Sequence, residues 1–206
     1  MMTEYGSPRE PLFDNLSPID DATSARLHAR LVAQAQRDGV LDVAYRTIGT
    51  PVGELLLATT GQGLVRVAYP REDHDAVLAR LAGSVSPRIL RAPGRLDEAS
   101  RQLEEYFAGR RTTFDLPLDL RLSKGFRRLV LAHLPEIPYG HTESYAQVAA
   151  ATGSPKAVRA VGTACATNPL PVVVPCHRVV RADGTPGGYA GGPDAKHALL
   201  TLEAAA

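Results

Sequence analysis

Cys176 is followed at once by His177 and Arg178, with Asn168-Pro169-Leu170-Pro171-Val172-Val173-Val174-Pro175 before it and Val179-Val180 after. A thiolate is the nucleophile, and a free cysteine with a pKa near ~8.5 is only a few per cent ionised at neutral pH. Basic neighbours shift that balance towards the thiolate. The three prolines restrict the φ angles of the loop and so fix the direction in which the sulfur points. Taken alone, Pro-Cys-His-Arg-Val also fits a structural cysteine, since free cysteine is among the most buried residue types.

The rest of the chain must hold that loop. Its 206 residues suffice for one large domain or two small ones. Residues 1–20 read as a loosely ordered arm. Asp21 is the expected cap of a helix to about residue 38, with Leu27, Leu31 and Val32 along one face. Strands are expected over 41–48, 54–60 and 64–69, separated by Gly-Thr-Pro-Val-Gly and Gly-Gln-Gly, which predicts an antiparallel meander. Amphipathic helices follow over 73–82 and 96–107, the second with Leu103, Tyr106 and Phe107 facing inward, and then a returning strand over 113–118. This front half shows no cluster of catalytic residues. The division is an arm and helix over 1–40, an α/β module over 41–120 and a mostly helical region over 121–206.

The back half opens with a helix over 123–134, apolar through Phe126, Leu129, Val130 and Leu134, and is broken over 135–140. A short helix over 144–151, a turn at Gly153-Ser154 and a helix over 155–166 with Pro155 at its first position give a helix-turn-helix outline. The second helix carries Ala157, Val158, Ala160, Val161, Gly162 and Ala164, so it has few groups to read base edges. If it meets DNA, it does so by shape and close approach in the minor groove. Residues 1–120 hold 14 Arg and no Lys against 17 acids, a balance of −3, while residues 121–206 hold 9 basic and 5 acidic residues, a balance of +4. A basic back half suits a polyanionic partner. Two cysteines, Cys165 and Cys176, with no Cys-x-x-Cys pair cannot build a disulfide framework. No basic-then-apolar leader and no apolar run of ~18 residues is present, which predicts a cytoplasmic protein with reduced thiols and no membrane contact. Cys165 is expected to be a small packing residue, with a redox role left open.

Five segments occur in one order: Ser144-Tyr145-Ala146-Gln147; Pro155-Lys156-Ala157-Val158-Arg159-Ala160-Val161-Gly162; Asn168-Pro169-Leu170-Pro171; Pro175-Cys176-His177-Arg178-Val179; and Gly188-Tyr189-Ala190-Gly191-Gly192. Together they resemble the O6-alkylguanine-DNA alkyltransferases, the methylated-DNA–protein-cysteine methyltransferase family, over roughly residues 123–204. The front half resembles the family's N-terminal domain only in strand–helix order. The resemblance implies an α/β fold. A ribonuclease H-like α/β domain comes first, followed by a mostly helical, winged-helix-like DNA-binding domain with a helix-turn-helix. It also implies direct-reversal repair, in which O6-alkylguanine (and, less well, O4-alkylthymine) in duplex DNA is flipped out and its alkyl group passes irreversibly to Cys176. The partner is double-stranded DNA carrying that lesion, met by a monomer, with cooperativity on DNA left open and no cofactor required.

The same resemblance assigns roles. His177 and Glu203 draw the thiol proton through a water, Asn168 is a hinge between recognition helix and cysteine loop, and Tyr145 crowds the phosphate and protonates the leaving base. Arg159 fills the space left by the flipped nucleotide, and Ser154 and Arg127 are lesser DNA contacts. Val179, Pro171, Tyr189, Ala190 and Lys196 surround the alkylguanine pocket. The bland reading of Glu203 is a solvated acid, of Arg159 a solvated surface cation, and of Tyr145 a core tyrosine with an exposed hydroxyl. The chain departs from the family in having no tryptophan, and its front 120 residues have no cysteine, which argues against a structural zinc there. Three rivals remain. A lesion binder without transfer is opposed by Cys176, a cysteine hydrolase needs an oxyanion hole, and a transcription regulator needs base-reading side chains on its second helix.

Overall fold

The computed structural model describes residues 20–204; the expected arm, up to residue 19, lies outside them. Helix α1 spans Asp21–Arg37, and its cap is Asp20 rather than Asp21, because the Asp20 carboxylate accepts the Thr23 N–H at 2.6 Å. The expected apolar face is only partly used. Val32 and Ala35 pack on Leu41, Ala44 and Ala92, while Leu27 and Leu31 remain 47% and 52% exposed.

Strands β1 (Val43–Thr50), β2 (Gly53–Thr60) and β3 (Gly63–Ala68) form the expected antiparallel meander, with Thr50 opposite Gly53 across a two-residue turn. Helix α2 (His74–Ser84) then leads to β4 (Ile89–Arg91), which lies parallel beside β1 and gives the sheet order β3-β2-β1-β4. Three residues are too short to show an alternation, so β4 leaves no periodic signal in the sequence. Leu55-Leu56-Leu57-Ala58 in β2 is apolar without alternation because both faces of the sheet are covered. Leu56 and Ala58 join Val77 and Leu81 of α2 on one face, while Leu55 and Leu57 join Leu103 and Tyr106 of α3 (Asp97–Phe107) on the other.

No strand forms over 113–118. Pro117 has no N–H to donate to a ladder. The segment instead touches β3 at a single bridge, with Leu64 N–H on the Pro117 carbonyl at 2.8 Å and Asp119 N–H on the Leu64 carbonyl at 2.9 Å.

Helix α4 (Gly125–His133) is followed by the two-residue strand β5 (Glu143–Ser144), α5 (Tyr145–Ala151) and α6 (Val158–Ala166). The second helix of the pair starts three residues later than expected. Pro155 sits inside a turn closed by Ala157 N–H on the Ser154 carbonyl at 2.8 Å, so it precedes the helix instead of opening it. Strand β6 (Val179–Val180) pairs parallel with β5, and α7 (Gly192–Ala204) is the last element among the described residues. The core does not stop between the halves: Val130, Leu131, Val148, Val161 and Leu199 belong to the same cluster as Leu55, Leu57 and Leu103.

Gly63 has φ +138°, and a Cβ there would overlap the Pro117 carbonyl. Gly63→Ala should therefore cost about 2 kcal/mol or more, since alanine meets both the backbone strain and the clash. Urea unfolding of the purified variant checks this, and a midpoint equal to wild type would show that the 117–119 segment yields freely.

Candidate active site

The cysteine loop is assembled from both ends. Ser144 caps α5 by accepting the Gln147 N–H at 3.2 Å, and Gln147 reaches back to the Ser144 N–H at 2.7 Å. The β5–β6 pairing sets Glu143 opposite Val179 and so brings Tyr145, the first residue of α5, beside the loop. At the other end Asn168 leaves α6. Its Nδ2 donates to the Val174 carbonyl at 2.8 Å and to Cys176 Sγ at 3.1 Å, and its Oδ1 accepts the Leu170 N–H at 2.9 Å. The turn thus enclosed contains Pro171, buried, and Val172 at φ +73°, a left-handed conformation that a β-branched residue rarely takes. The Asn168 bonds hold Val172 there. The loop is also tied to the sheet, since β3 donates the Val67 N–H to the Pro169 carbonyl at 2.8 Å.

Cys176, His177 and Arg178 form one tight helical turn, all three buried. Glu203, on the last turn of α7, is 3% exposed and is the acceptor for His177 and Arg178. His177 Nε2 lies 2.8 Å from Oε1, Arg178 donates Nε to Oε2 at 2.9 Å and Nη2 to Oε1 at 3.0 Å, and Gly140 N–H reaches Oε2 at 3.2 Å. A fifth donor is the Tyr106 hydroxyl, at 2.7 Å from Oε1. Burial opposes ionisation of Glu203, but the hydrogen bonds from His177 and Arg178 outweigh it and bring the carboxyl down to about 2. An ionised carboxylate only accepts, so His177 carries its proton on Nε2. Burial lowers the His177 pKa against the pull of Glu203, so the ring is neutral. Its Nδ1 is buried and has no hydrogen-bond partner among the described residues.

Burial pushes the Cys176 thiol up to about 11, with the Asn168 hydrogen bond and the Lys196 ammonium pulling the other way. At neutral pH the group is therefore a thiol, and it needs a base. Lys196 is fully buried and donates to the Val179 carbonyl at 2.6 Å; burial lowers its pKa while the Cys176 and Cys165 sulfurs raise it. Tyr145 lies against Gly187, and burial, then the Cys165 and Cys176 sulfurs, raise its phenol, so it stays protonated. Tyr189 is buried with its ring edge-on to His177 at 6.3 Å, and Ala190 is half-buried beside it. Cys165 packs in the core of α6, 2% exposed.

The structure thus joins Cys176 to Asn168 and the adjacent His177 to Glu203 by direct contact, and sets Tyr145, Val179, Lys196 and Tyr189 around them. Arg159 is exposed at the start of α6, and Ser154 is half-buried in the turn before it. Arg127 lies at the opposite end of α6, where its guanidinium reaches the Leu122 carbonyl at 2.5 Å and Thr167 at 3.4 Å. Sequence reasoning missed Arg178, Tyr69 and Tyr106. The front half, in which no cluster of catalytic residues was expected, reaches the site through two single tyrosines, Tyr106 at Glu203 and Tyr69 at Tyr189. Tyr106 reads in the sequence as an inward-facing residue of an amphipathic helix, and no local pattern marks its hydroxyl.

Both halves of the chain resemble known proteins. Residues 43–120 match the family model described as 6-O-methylguanine DNA methyltransferase, ribonuclease-like domain, and residues 125–205 match its DNA binding domain. Helix α1 lies outside both spans. A methylated-DNA–protein-cysteine methyltransferase of Mycolicibacterium paratuberculosis is 42% identical over 161 residues, covering 78% of this chain and 92% of that one. The constitutive enzyme of that name from Bacillus subtilis is 43% identical over 160 residues, covering 77% and 94%. The crystal structure of the Mycobacterium tuberculosis protein OGT in complex with DNA superposes with a TM-score of 0.68 at 41% identity, covering 79% of this chain and 93% of that one. With both halves matched in order, the chain belongs to the O6-methylguanine DNA methyltransferase family, DNA-binding proteins that reverse alkylation damage directly by moving the alkyl group onto a cysteine.

Proposed function

We propose that Cys176 is the acceptor, and that the substrate is O6-alkylguanine (less well O4-alkylthymine) flipped out of duplex DNA. The observation that carries this reading is a buried thiol beside a neutral imidazole whose Nε2 is held by Glu203 and whose Nδ1 is unclaimed. The thiol proton passes through a bridging water to Nδ1, and the imidazolium formed is stabilised by the Glu203 carboxylate. Sulfur attacks the alkyl carbon, the carbon–O6 bond breaks, and its electron pair stays with guanine. The Tyr145 hydroxyl supplies the proton that makes guanine a neutral leaving group and recovers one from the imidazolium through solvent. Asn168 keeps the sulfur aligned through its Nδ2 contact. The thioether does not hydrolyse, so each molecule acts once.

The target base enters between the loop and the segment 187–192. Pro171 and Val179 border the base, Tyr189 and Ala190 the alkyl group, and Lys196 fixes the Val179 carbonyl. Helix α6, lined with small residues, approaches the minor groove, and Arg159 occupies the stack in place of the extruded nucleotide. Ser154, and Arg127 anchored on Leu122 and Thr167, are lesser phosphate contacts, which makes binding salt-sensitive. The protein works as a monomer, and a reaction that consumes one reduced thiol per event suits the cytoplasm.

Incubation with duplex DNA containing O6-methylguanine should add one methylene mass to the Cys176 peptide, saturating at one per protein. Cys176→Ala should bind that DNA and gain nothing, and a mass gain in the variant would overturn the acceptor assignment. Arg159→Ala should slow transfer by roughly tenfold, a part of the unstacking cost it offsets; an unchanged single-turnover rate would make it an ordinary surface cation. Glu203 titrates at about 2 in the folded protein against an ordinary 4.5. Its contribution to stability is thus complete above the ordinary value and is lost as pH falls from 4.5 towards 2. Urea unfolding of Glu203→Gln should lack that part of the acid slope, and an identical slope would show that Glu203 is not held ionised.

A further inference from the structure

The front half sets a tyrosine behind the pocket wall. Tyr69 directly follows β3 and is 1% exposed. Its hydroxyl lies 3.0 Å from that of Tyr189, and the two rings meet edge-on at 5.7 Å. The backbone beyond Tyr189 presses on the same ring: a Cβ on Gly191 would come within 2.6 Å of Tyr69 Cζ, and one on Gly192 would overlap the Arg71 guanidinium. Tyr69 is itself fixed, because Glu72 Oε1 accepts the Tyr69 N–H at 3.0 Å and Glu72 is paired with Arg66. Burial above all, with the nearby Cys176 sulfur adding to it, pushes both phenols up, so neither ionises and the hydroxyl pair persists across the working pH range.

We propose that Tyr69 is a specificity-determining residue for the transferred group: its hydroxyl pins the Tyr189 ring at the alkyl side of the pocket and thereby limits how large an alkyl group reaches Cys176. The proposal rests on the reading of Cys176 as acceptor. The pin is a single neutral hydrogen bond between two side chains that come from different halves of the chain. Removing it keeps both aromatic rings but frees that of Tyr189 to turn away from the space beside the thiol. A methyl group needs little of that space, while a benzyl group needs the ring to move.

The test compares single-turnover labelling of Cys176 by duplexes containing O6-methylguanine or O6-benzylguanine, in wild type, Tyr69→Phe, Tyr189→Phe and the double variant. The ratio of benzyl to methyl rates should rise about fivefold in Tyr69→Phe, the size of one net neutral hydrogen bond. The Tyr69→Phe change should add nothing further in a Tyr189→Phe background. A packing role alone would slow both substrates equally and persist in that background. An unchanged or lower ratio in Tyr69→Phe, or additive effects in the double variant, overturns the proposal while wild type still labels. Wild type that labels with neither substrate overturns the acceptor reading and the specificity role together. Thermal unfolding of the four unreacted proteins reads the hydroxyl pair independently of transfer, and additive shifts in Tm would show that the two hydroxyls are not coupled.

Discussion

The site depends on one buried negative charge. A carboxylate removed from water is costly unless its lone pairs are met, and Glu203 meets them with five donors. These donors come from three places, the cysteine loop through His177 and Arg178, helix α3 through Tyr106, and the 137–140 turn through Gly140, and they converge on an acceptor carried by α7. Leaving any one of the buried donors unpaired costs about 1–3 kcal/mol. The arrangement fixes the imidazole tautomer, and with it the nitrogen that can take a proton. Geometry and protonation state are therefore set by the same bonds.

The second constraint is the Asn168 turn. Val172 at φ +73° is held against its own preference, and the energy for that comes from bonds made by one amide side chain and by the Val67–Pro169 link to the sheet. A relaxed turn at Val172 would re-aim the three residues that follow Pro175. The strain is located where direction matters most, one turn of chain ahead of the sulfur.

What could be read from the sequence follows the range of the interactions. Cys176, His177 and Asn168 lie within ten residues of each other, and their types and order already describe a cysteine in a stiff loop. The thiolate expected from its basic neighbours does not form, because His177 and Arg178 are turned to Glu203 and burial raises the thiol. The meander was legible because its turns are glycine-rich and its strands apolar. Tyr106 and Tyr69 were not, because each meets its partner across 97 and 120 residues of chain, and their helix and strand patterns are satisfied by packing alone. The expected strand at 113–118 failed on Pro117, and the expected helix start at Pro155 failed because a proline that suits a first helical turn suits a β-turn equally well. Of the face read into α1, Leu27 and Leu31 stay exposed among the described residues, since the apolar contact of the helix with the sheet side runs through Val32 and Ala35, beside the bond from His28 to the Arg91 carbonyl.

The continuous core has an evolutionary consequence. The chain matches two family regions in succession, yet Leu55, Leu57, Leu103 and Tyr106 of the first pack in one cluster with Leu131, Val148 and Leu199 of the second. A residue in that shared cluster packs both regions at once, and through Tyr106 the first region also touches Glu203 on the far side of the boundary. The first region is thereby denied the independence of an appended module: it cannot be exchanged for another sheet of equal stability without also resupplying the phenol at Glu203.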